Sequence, residues 1–180
     1  AGRRKLADRP TLFRETKNPE SCVVIPEVSS ERRDYIPIGF IDSATICTNL
    51  LQIIPDATLY HFGILTSIMH MAWTRAVCGR LKSDYRYSNK IVYNNFPWPE
   101  ATEAQQEKIA ELAQGVLDAR ALYPDSSLAD LYDPLTMPPE LVAAHRKLDA
   151  AVEKAYGRKF KDDAERVAYL FERYSELTQK

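Results

Sequence analysis

Charged and uncharged side chains alternate along Gly79–Ser88. If this segment is a β-strand, its side chains point alternately to opposite faces, which puts Lys82, Asp84 and Arg86 together on one face. Such a row suits the edges of base pairs, because a Lys or Arg can donate to guanine O6 and N7 while an Asp accepts from cytosine N4 in the major groove. The pattern therefore indicates reading of DNA sequence rather than catalysis.

In the DNA-reading interpretation, Lys82 and Asp84 share one G·C pair, and Arg86 reads a neighbouring base or holds a phosphate. Each good base contact would give roughly 1–3 kcal/mol of discrimination. The alternative is a solvated sheet with cross-strand ion pairs, each contributing roughly 0.2–1 kcal/mol. The residue types alone leave both interpretations open.

The charge is distributed unevenly along the 180 residues, although the net charge is only −1. Residues 1–99 contain 13 Lys and Arg against 9 Asp and Glu, whereas residues 100–180 contain 11 against 16. The first part is therefore the one suited to approach phosphate. Its candidate phosphate contacts are Arg75, Arg80, Lys90, Arg32 and Arg33. The acidic excess of the second part favours an alternative function, a protein–protein assembly module without direct DNA contact.

Apolar and β-branched runs predict the elements of the first part. We expect strands over Ser21–Pro26, Tyr35–Ile41 and Leu50–Ile54, and a charged strand from Gly79 that continues through Lys90–Tyr93. A long helix is predicted over Thr58–Gly79, broken or beginning near Ser67 because Gly63 weakens its first turn. Residues 1–20 are predicted to be an entry segment with little regular structure.

Helical periodicity dominates after Pro99. Thr102 and Gln105 form the S/T-x-x-E/Q signature of a capping box. Further helices are predicted over Ser126–Tyr132, Glu140–Tyr156 and Asp163–Leu177. The expected fold class is α+β, with a small mixed or antiparallel sheet and a long helix in residues 1–99, followed by a C-terminal helical bundle in residues 100–180.

The sequence lacks the motifs that several kinds of chemistry require. It contains neither a GxGxxG loop nor a P-loop, and its three cysteines include no CxxC pair, so no metal site is expected. His61 and His70 lie nine residues apart, too far for two ligands on one helix face. Asn95-Phe96-Pro97-Trp98 resembles the Asn-Pro-Pro-aromatic motif of amino-methyltransferases only weakly, since Phe96 stands where the first Pro belongs. No catalytic residue is predicted.

Location is indicated by what the sequence lacks. No run of about 18 apolar residues is present, so no membrane partner is expected. The free cysteines fit a reducing compartment, which predicts a cytoplasmic protein. The sequence begins without Met, and we expect it to be a fragment of a longer protein.

Longer motifs resemble one family. Five runs together are similar to the target-recognition and C-terminal helical regions of MmeI-type (type IIL/IIG) restriction-modification proteins and their DNA-methyltransferase relatives. They are Tyr60–Gly63, Met69–Trp73, Gly79–Ser88, Tyr93–Pro99, and Leu128–Leu141.

The resemblance implies a parent enzyme that transfers a methyl group from S-adenosylmethionine to adenine N6 in a defined DNA site. The cofactor loop and catalytic motif of that family are missing from these 180 residues, so no cofactor is expected in the fragment. The implied partners are double-stranded DNA and the catalytic methyltransferase domain of the same chain. The resemblance also implies that Lys82, Asp84 and Arg86 occupy base-reading positions.

Overall fold

The structure, a computed structural model, describes residues 19–179. The predicted entry segment therefore lies almost wholly outside the described residues. The fold is α+β, as predicted. Its strands are β1 (Ser21–Pro26), β2 (Val28–Ser29), β3 (Gly39–Asp42), β4 (Leu51–Pro55), β5 (Gly79–Leu81) and β6 (Asp84–Arg86). Its α-helices are α1 (Leu59–Leu65), α2 (Ile68–Val77), α3 (Glu103–Ala121), α4 (Leu128–Leu131), α5 (Pro139–Ala155) and α6 (Asp163–Thr178), and Asn89–Tyr93 forms a π-helical turn.

The first sheet is antiparallel, with β1 between β3 and β4. The central strand buries Val23 and Ile25, which explains its β-branched run. β1 has the predicted bounds, and β4 is shifted by one residue. The predicted strand Tyr35–Ile41 begins only at Gly39, because Pro37 has no N–H and the Ile38 amide bonds back to Ile36 O at 2.8 Å.

The second sheet corrects the prediction of one charged strand over Gly79–Ser88. The segment is instead a hairpin in which β5 and β6 pair antiparallel, with Leu81 opposite Asp84 and β6 also paired to β2. The chain reverses at Lys82 and Ser83, where Lys82 has a φ of 57°, a left-handed conformation uncommon outside glycine. Lys82 thus lies at the hairpin tip and not on a strand face.

The predicted strand over Lys90–Tyr93 is also wrong, because this segment is the π-helical turn. Side chains bond the carbonyl groups that a strand would pair. The Asn95 amide donates to the carbonyl oxygens of Lys90 at 2.9 Å and Ile91 at 3.0 Å, and Trp73 Nε1 donates to Val92 O at 3.1 Å.

The long predicted helix is broken at Ser67. Its hydroxyl donates to Ile64 O at 2.7 Å and accepts from the His70 amide at 3.4 Å, so it ends α1 and caps α2. Gly63 has a packing role, because a Cβ there would lie 2.8 Å from Ile109 Cγ2 on α3. The glycine that weakens α1 is therefore what lets α1 and α3 approach closely.

The helices after Pro99 pack directly on the first part of the chain. α1 packs on α3, α3 on α5, and α2 on α6. Apolar side chains from both sides of Pro99, among them Phe62, Ile109 and Leu148, belong to one buried cluster. The capping box at Thr102 is present, and the bounds of the last two helices agree with the prediction to within a residue.

Candidate nucleic-acid interface

The hairpin carries the three predicted base readers in two different settings. Lys82 is exposed at the tip, while Asp84 and Arg86 share one face of β6 on either side of buried Tyr85. The prediction that all three side chains lie on one strand face is therefore wrong for Lys82. Asp84 and Arg86 do share one face.

The contacts of the three side chains also differ. Asp84 Oδ1 accepts from the Glu31 amide at 3.3 Å, and Arg86 Nε lies 3.2 Å from Glu27 Oε1. Lys82 makes no ion pair with any residue from 19 to 179. Asp84 Oδ2 and the terminal nitrogens of Arg86 take no hydrogen-bond partner within that range, so each side chain retains polar atoms for a ligand.

Two of the predicted phosphate contacts are already bound within the protein. Arg75 donates to Asp163 Oδ2 at 2.6 Å and to Asp34 O at 3.1 Å. Arg80 covers the ring of Tyr85, with its guanidinium carbon 4.3 Å from the ring centroid, and donates to Ser83 O at 2.9 Å. These contacts hold the fold together, so they leave less of each guanidinium available to a phosphate.

The other three predicted phosphate contacts have no ion partner among the described residues. Arg32 and Lys90 are exposed, and Arg33 is half-buried. Arg32 and Arg33 lie in the loop Ser30–Ile38, between β2 and β3. A cation without a protein partner can exchange its counterion for a DNA phosphate at the least cost.

Glu31 joins that loop to the hairpin. Its amide donates to Asp84, its carbonyl oxygen lies 3.4 Å from the Tyr85 hydroxyl, and its carboxylate lies 3.6 Å from Arg80. The hairpin and residues 30–34 thus form one exposed surface, which we call the recognition surface. It brings Arg32 and Arg33 next to the hairpin, a proximity that sequence spacing does not show.

His61 and His70, whose side chains could serve in catalysis or metal binding, make structural contacts outside the recognition surface. His70 is buried with its Nε2 2.9 Å from the Tyr87 hydroxyl, and burial lowers its pKa to about 3. His61 Nδ1 lies 3.2 Å from the Thr58 amide at the start of α1. No group of three or more His, Cys, Asp and Glu in residues 19–179 is arranged to hold a metal ion, and no helix there is long and apolar enough to cross a bilayer.

Sequence reasoning missed a partly buried polar network where α3 and α5 meet the loop Ser30–Ile38. Arg120 donates through Nε to the Tyr132 hydroxyl at 2.9 Å, and the same hydroxyl lies 2.7 Å from His145 Nε2. Tyr35 donates to Asp149 Oδ2 at 2.6 Å. Helical spacing could have shown that His145 is buried, because it lies four residues after Leu141 and three before Leu148 on the inward face of α5.

Burial shifts the pKa of the ionisable groups in this network. It raises the pKa of Asp149 to about 6, although hydrogen bonds from Tyr35 and the Ile68 amide act in the opposite direction. It lowers the pKa of His145 to about 3, and the charge of Arg120 acts in the same direction. Near neutral pH, His70 and His145 are therefore neutral and Asp149 is largely ionised.

A small antiparallel hairpin that presents cations and one carboxylate from a helical support is suited to contact base edges, and the class of protein that this site indicates is a nucleic-acid recognition module. Comparison with known proteins is consistent with that class. The family model for the MmeI target recognition domain matches residues 1–100, and that for the MmeI C-terminal domain matches residues 101–180. The chain belongs to the MmeI family and comprises these two regions of it, which confirms the resemblance inferred from its motifs.

Two relatives describe the family further. The chain is 47% identical over 181 residues to DNA methyltransferase A of Bacillus subtilis (strain 168), covering 99% of this chain and 20% of that protein. A solved structure of the type IIL restriction-modification enzyme MmeI in complex with DNA matches with a TM-score of 0.93 at 47% identity, over 98% of this chain and 24% of that one. The chain thus spans about a fifth to a quarter of the length of these relatives.

Proposed function

We propose that this chain recognises a specific DNA sequence as the C-terminal part of an S-adenosylmethionine-dependent DNA adenine-N6 methyltransferase of a restriction-modification system. That larger protein is called the parent enzyme below. In this proposal the chain itself carries no catalytic group, the cofactor binds in the attached catalytic domain, and the enzyme works in the cytoplasm as a type IIG system. The match of residues 1–100 to a target recognition domain is the observation that carries the proposal.

The base-reading roles follow the geometry of the hairpin. Arg86 has its terminal nitrogens available for guanine O6 and N7, and Asp84 has Oδ2 available for a cytosine amino group. Lys82, from the tip, extends the contact to a further base edge. The proposal therefore no longer requires Lys82 and Asp84 to share one base pair from a single strand face.

Phosphate contacts are assigned to Arg32, Arg33 and Lys90, the predicted cations that have no ion partner within residues 19–179. Arg75 and Arg80 are assigned to holding the fold, because both guanidinium groups already bond carbonyl or carboxylate oxygens. The acidic excess of residues 100–180 does not need a separate protein partner, since part of it pairs with cations, as in Arg75–Asp163 at 2.6 Å.

The test is a matched pair of substitutions in the parent enzyme, Lys82→Gln and Lys90→Gln, together with Arg86→Gln. Sequencing of methylated DNA should show a changed base preference for Arg86→Gln, shifted towards adenine because Gln pairs with adenine N6 and N7. Lys82→Gln should relax the preference at another position of the site.

Lys90→Gln should leave the methylated sequence unchanged. It should weaken binding to all sequences alike and reduce the slope of log K against log salt by about 0.9. If neither Arg86→Gln nor Lys82→Gln alters the methylated sequence, the base-reading assignment is wrong.

A further inference from the structure

The loop Ser30–Ile38 is attached at both ends to other parts of the fold. Its first residues contact the hairpin through Glu31, and it carries Arg32 and Arg33 on the recognition surface. Its remaining residues are held by side chains of α2, α3 and α5. The loop therefore connects the recognition surface to the helical part of the chain.

The tightest of these attachments is at Tyr35. Its hydroxyl donates to Asp149 Oδ2 at 2.6 Å, and its ring stacks on His145 with centroids 4.0 Å apart and planes 21° apart. The second oxygen of Asp149 accepts from the Ile68 amide at 2.7 Å. One carboxylate on α5 thus fixes the loop and the first turn of α2 at the same point.

Two arginines hold the loop backbone on either side of Tyr35. Arg120 on α3 donates through Nη1 to Ile38 O at 2.8 Å and is itself buried. Arg75 on α2 donates to Asp34 O at 3.1 Å and is paired with Asp163 on α6. Four helices therefore contribute to the position of one short loop.

We infer that Tyr35 and Asp149 are positioning residues through which the C-terminal helices hold Arg32 and Arg33 in place to contact DNA phosphate. Neither residue needs to touch DNA. The positioning itself is a property of the protein alone, whereas its consequence for DNA rests on the proposed function.

The positioning is tested by Tyr35→Phe in the parent enzyme, with Tyr156→Phe as the matched control. Each substitution removes one hydroxyl that links residues 1–99 to residues 100–180, because Tyr35 donates to Asp149 and Tyr156 donates to Pro97 O at 2.9 Å. Only Tyr35 belongs to the loop. Amide hydrogen exchange should become at least tenfold faster at Glu31 and Arg33 in Tyr35→Phe and stay unchanged there in Tyr156→Phe. Unchanged exchange at these amides in Tyr35→Phe would overturn the inference.

A second measurement separates this inference from the proposed function. Changing both Arg32 and Arg33 to Ala should reduce the salt slope of DNA binding by about 1.8, roughly 0.9 for each lost phosphate contact. Tyr35→Phe should reproduce part of that decrease and cause no further decrease in the double-Ala background. Asp149→Asn, whose amide can still bond both Tyr35 and the Ile68 amide, should retain most of the slope.

The outcomes point to different errors. If the double-Ala variant binds DNA with the wild-type slope while Tyr35→Phe still accelerates exchange in the loop, the phosphate role is wrong and the positioning stands. If the double-Ala variant lowers the slope and Tyr35→Phe does not, the positioning inference is wrong and the proposed function stands.

Discussion

Two buried histidines, His70 and His145, and the half-buried Asp149 should control how the stability of this protein depends on pH. Burial raises the pKa of Asp149 from 3.8 to about 6, and it lowers the pKa values of His70 and His145 from 6.5 to about 3. Near pH 5 the folded protein therefore keeps both histidines neutral and Asp149 protonated. The unfolded chain has both histidines protonated and Asp149 ionised.

These shifts act in opposite directions on the free energy of unfolding. As pH falls from 6.5 towards 4, each histidine destabilises the fold because only the unfolded chain takes up its proton. Over the same range Asp149 stabilises the fold, because the folded form binds a proton that the unfolded form does not. The unfolded state thus binds about one more proton at pH 5, which gives a loss of about 1.4 kcal/mol per pH unit of acidification.

Substitution separates the contributions. Asp149→Asn removes the opposing proton, so the loss should roughly double to about 2.7 kcal/mol per pH unit. His145→Gln removes one of the two destabilising protons, so the slope should fall close to zero. Other carboxyl groups titrate alike in all three proteins, and their effect cancels in the comparison.

The assay is urea unfolding followed by circular dichroism at several pH values between 4.5 and 6. The slope of the unfolding free energy against pH is compared among wild type, Asp149→Asn and His145→Gln. Equal slopes in wild type and Asp149→Asn would refute the assignment of a protonated Asp149 to the folded state at pH 5.

Two further predictions concern packing. Gly63→Ala should destabilise the fold by about 1–2 kcal/mol, because overpacking against α3 exceeds the gain of about 1 kcal/mol in helix propensity. Gly115→Ala should stabilise the fold, because no atom lies within 4 Å of the added Cβ. Denaturant midpoints measure both effects. Arg120→Met should cost about 3 kcal/mol in thermal unfolding, because it removes the donors to Ile38 O and the Tyr132 hydroxyl, and stability equal to wild type would contradict a structural role for this network.

Elements with local signals were predictable from the sequence. β1 has its predicted bounds because its β-branched run fills the centre of a sheet. α3 begins at the predicted capping box of Thr102, and α5 ends just before Gly157, which has the positive φ of 80° typical of a glycine after a helix. In each case the residues that specify the element lie within it or next to it.

Elements that depend on distant or unusual features were not predictable. The hairpin reverses at Lys82 and Ser83 without the glycine or asparagine that usually marks such a turn. The turn Asn89–Tyr93 bonds Trp73, which lies far away in the sequence. At the site, the sequence indicated which residue types could contact DNA, but not which of them were already bound to the protein.

The recognition surface combines residues that depend on the helices with residues that do not. Arg32 and Arg33 lie in a loop fixed by Asp149 and Arg120, so substitutions in the helices should alter DNA affinity without altering the bases that are read. The ion pair of Arg86, in contrast, is with Glu27 between β1 and β2, and Lys82 has no ion partner within residues 19–179. The largely exposed Arg86–Glu27 pair is of a kind that contributes at most about 1 kcal/mol. Under the proposed function, Lys82 and Arg86 are therefore the positions where base preference can change at least cost in stability.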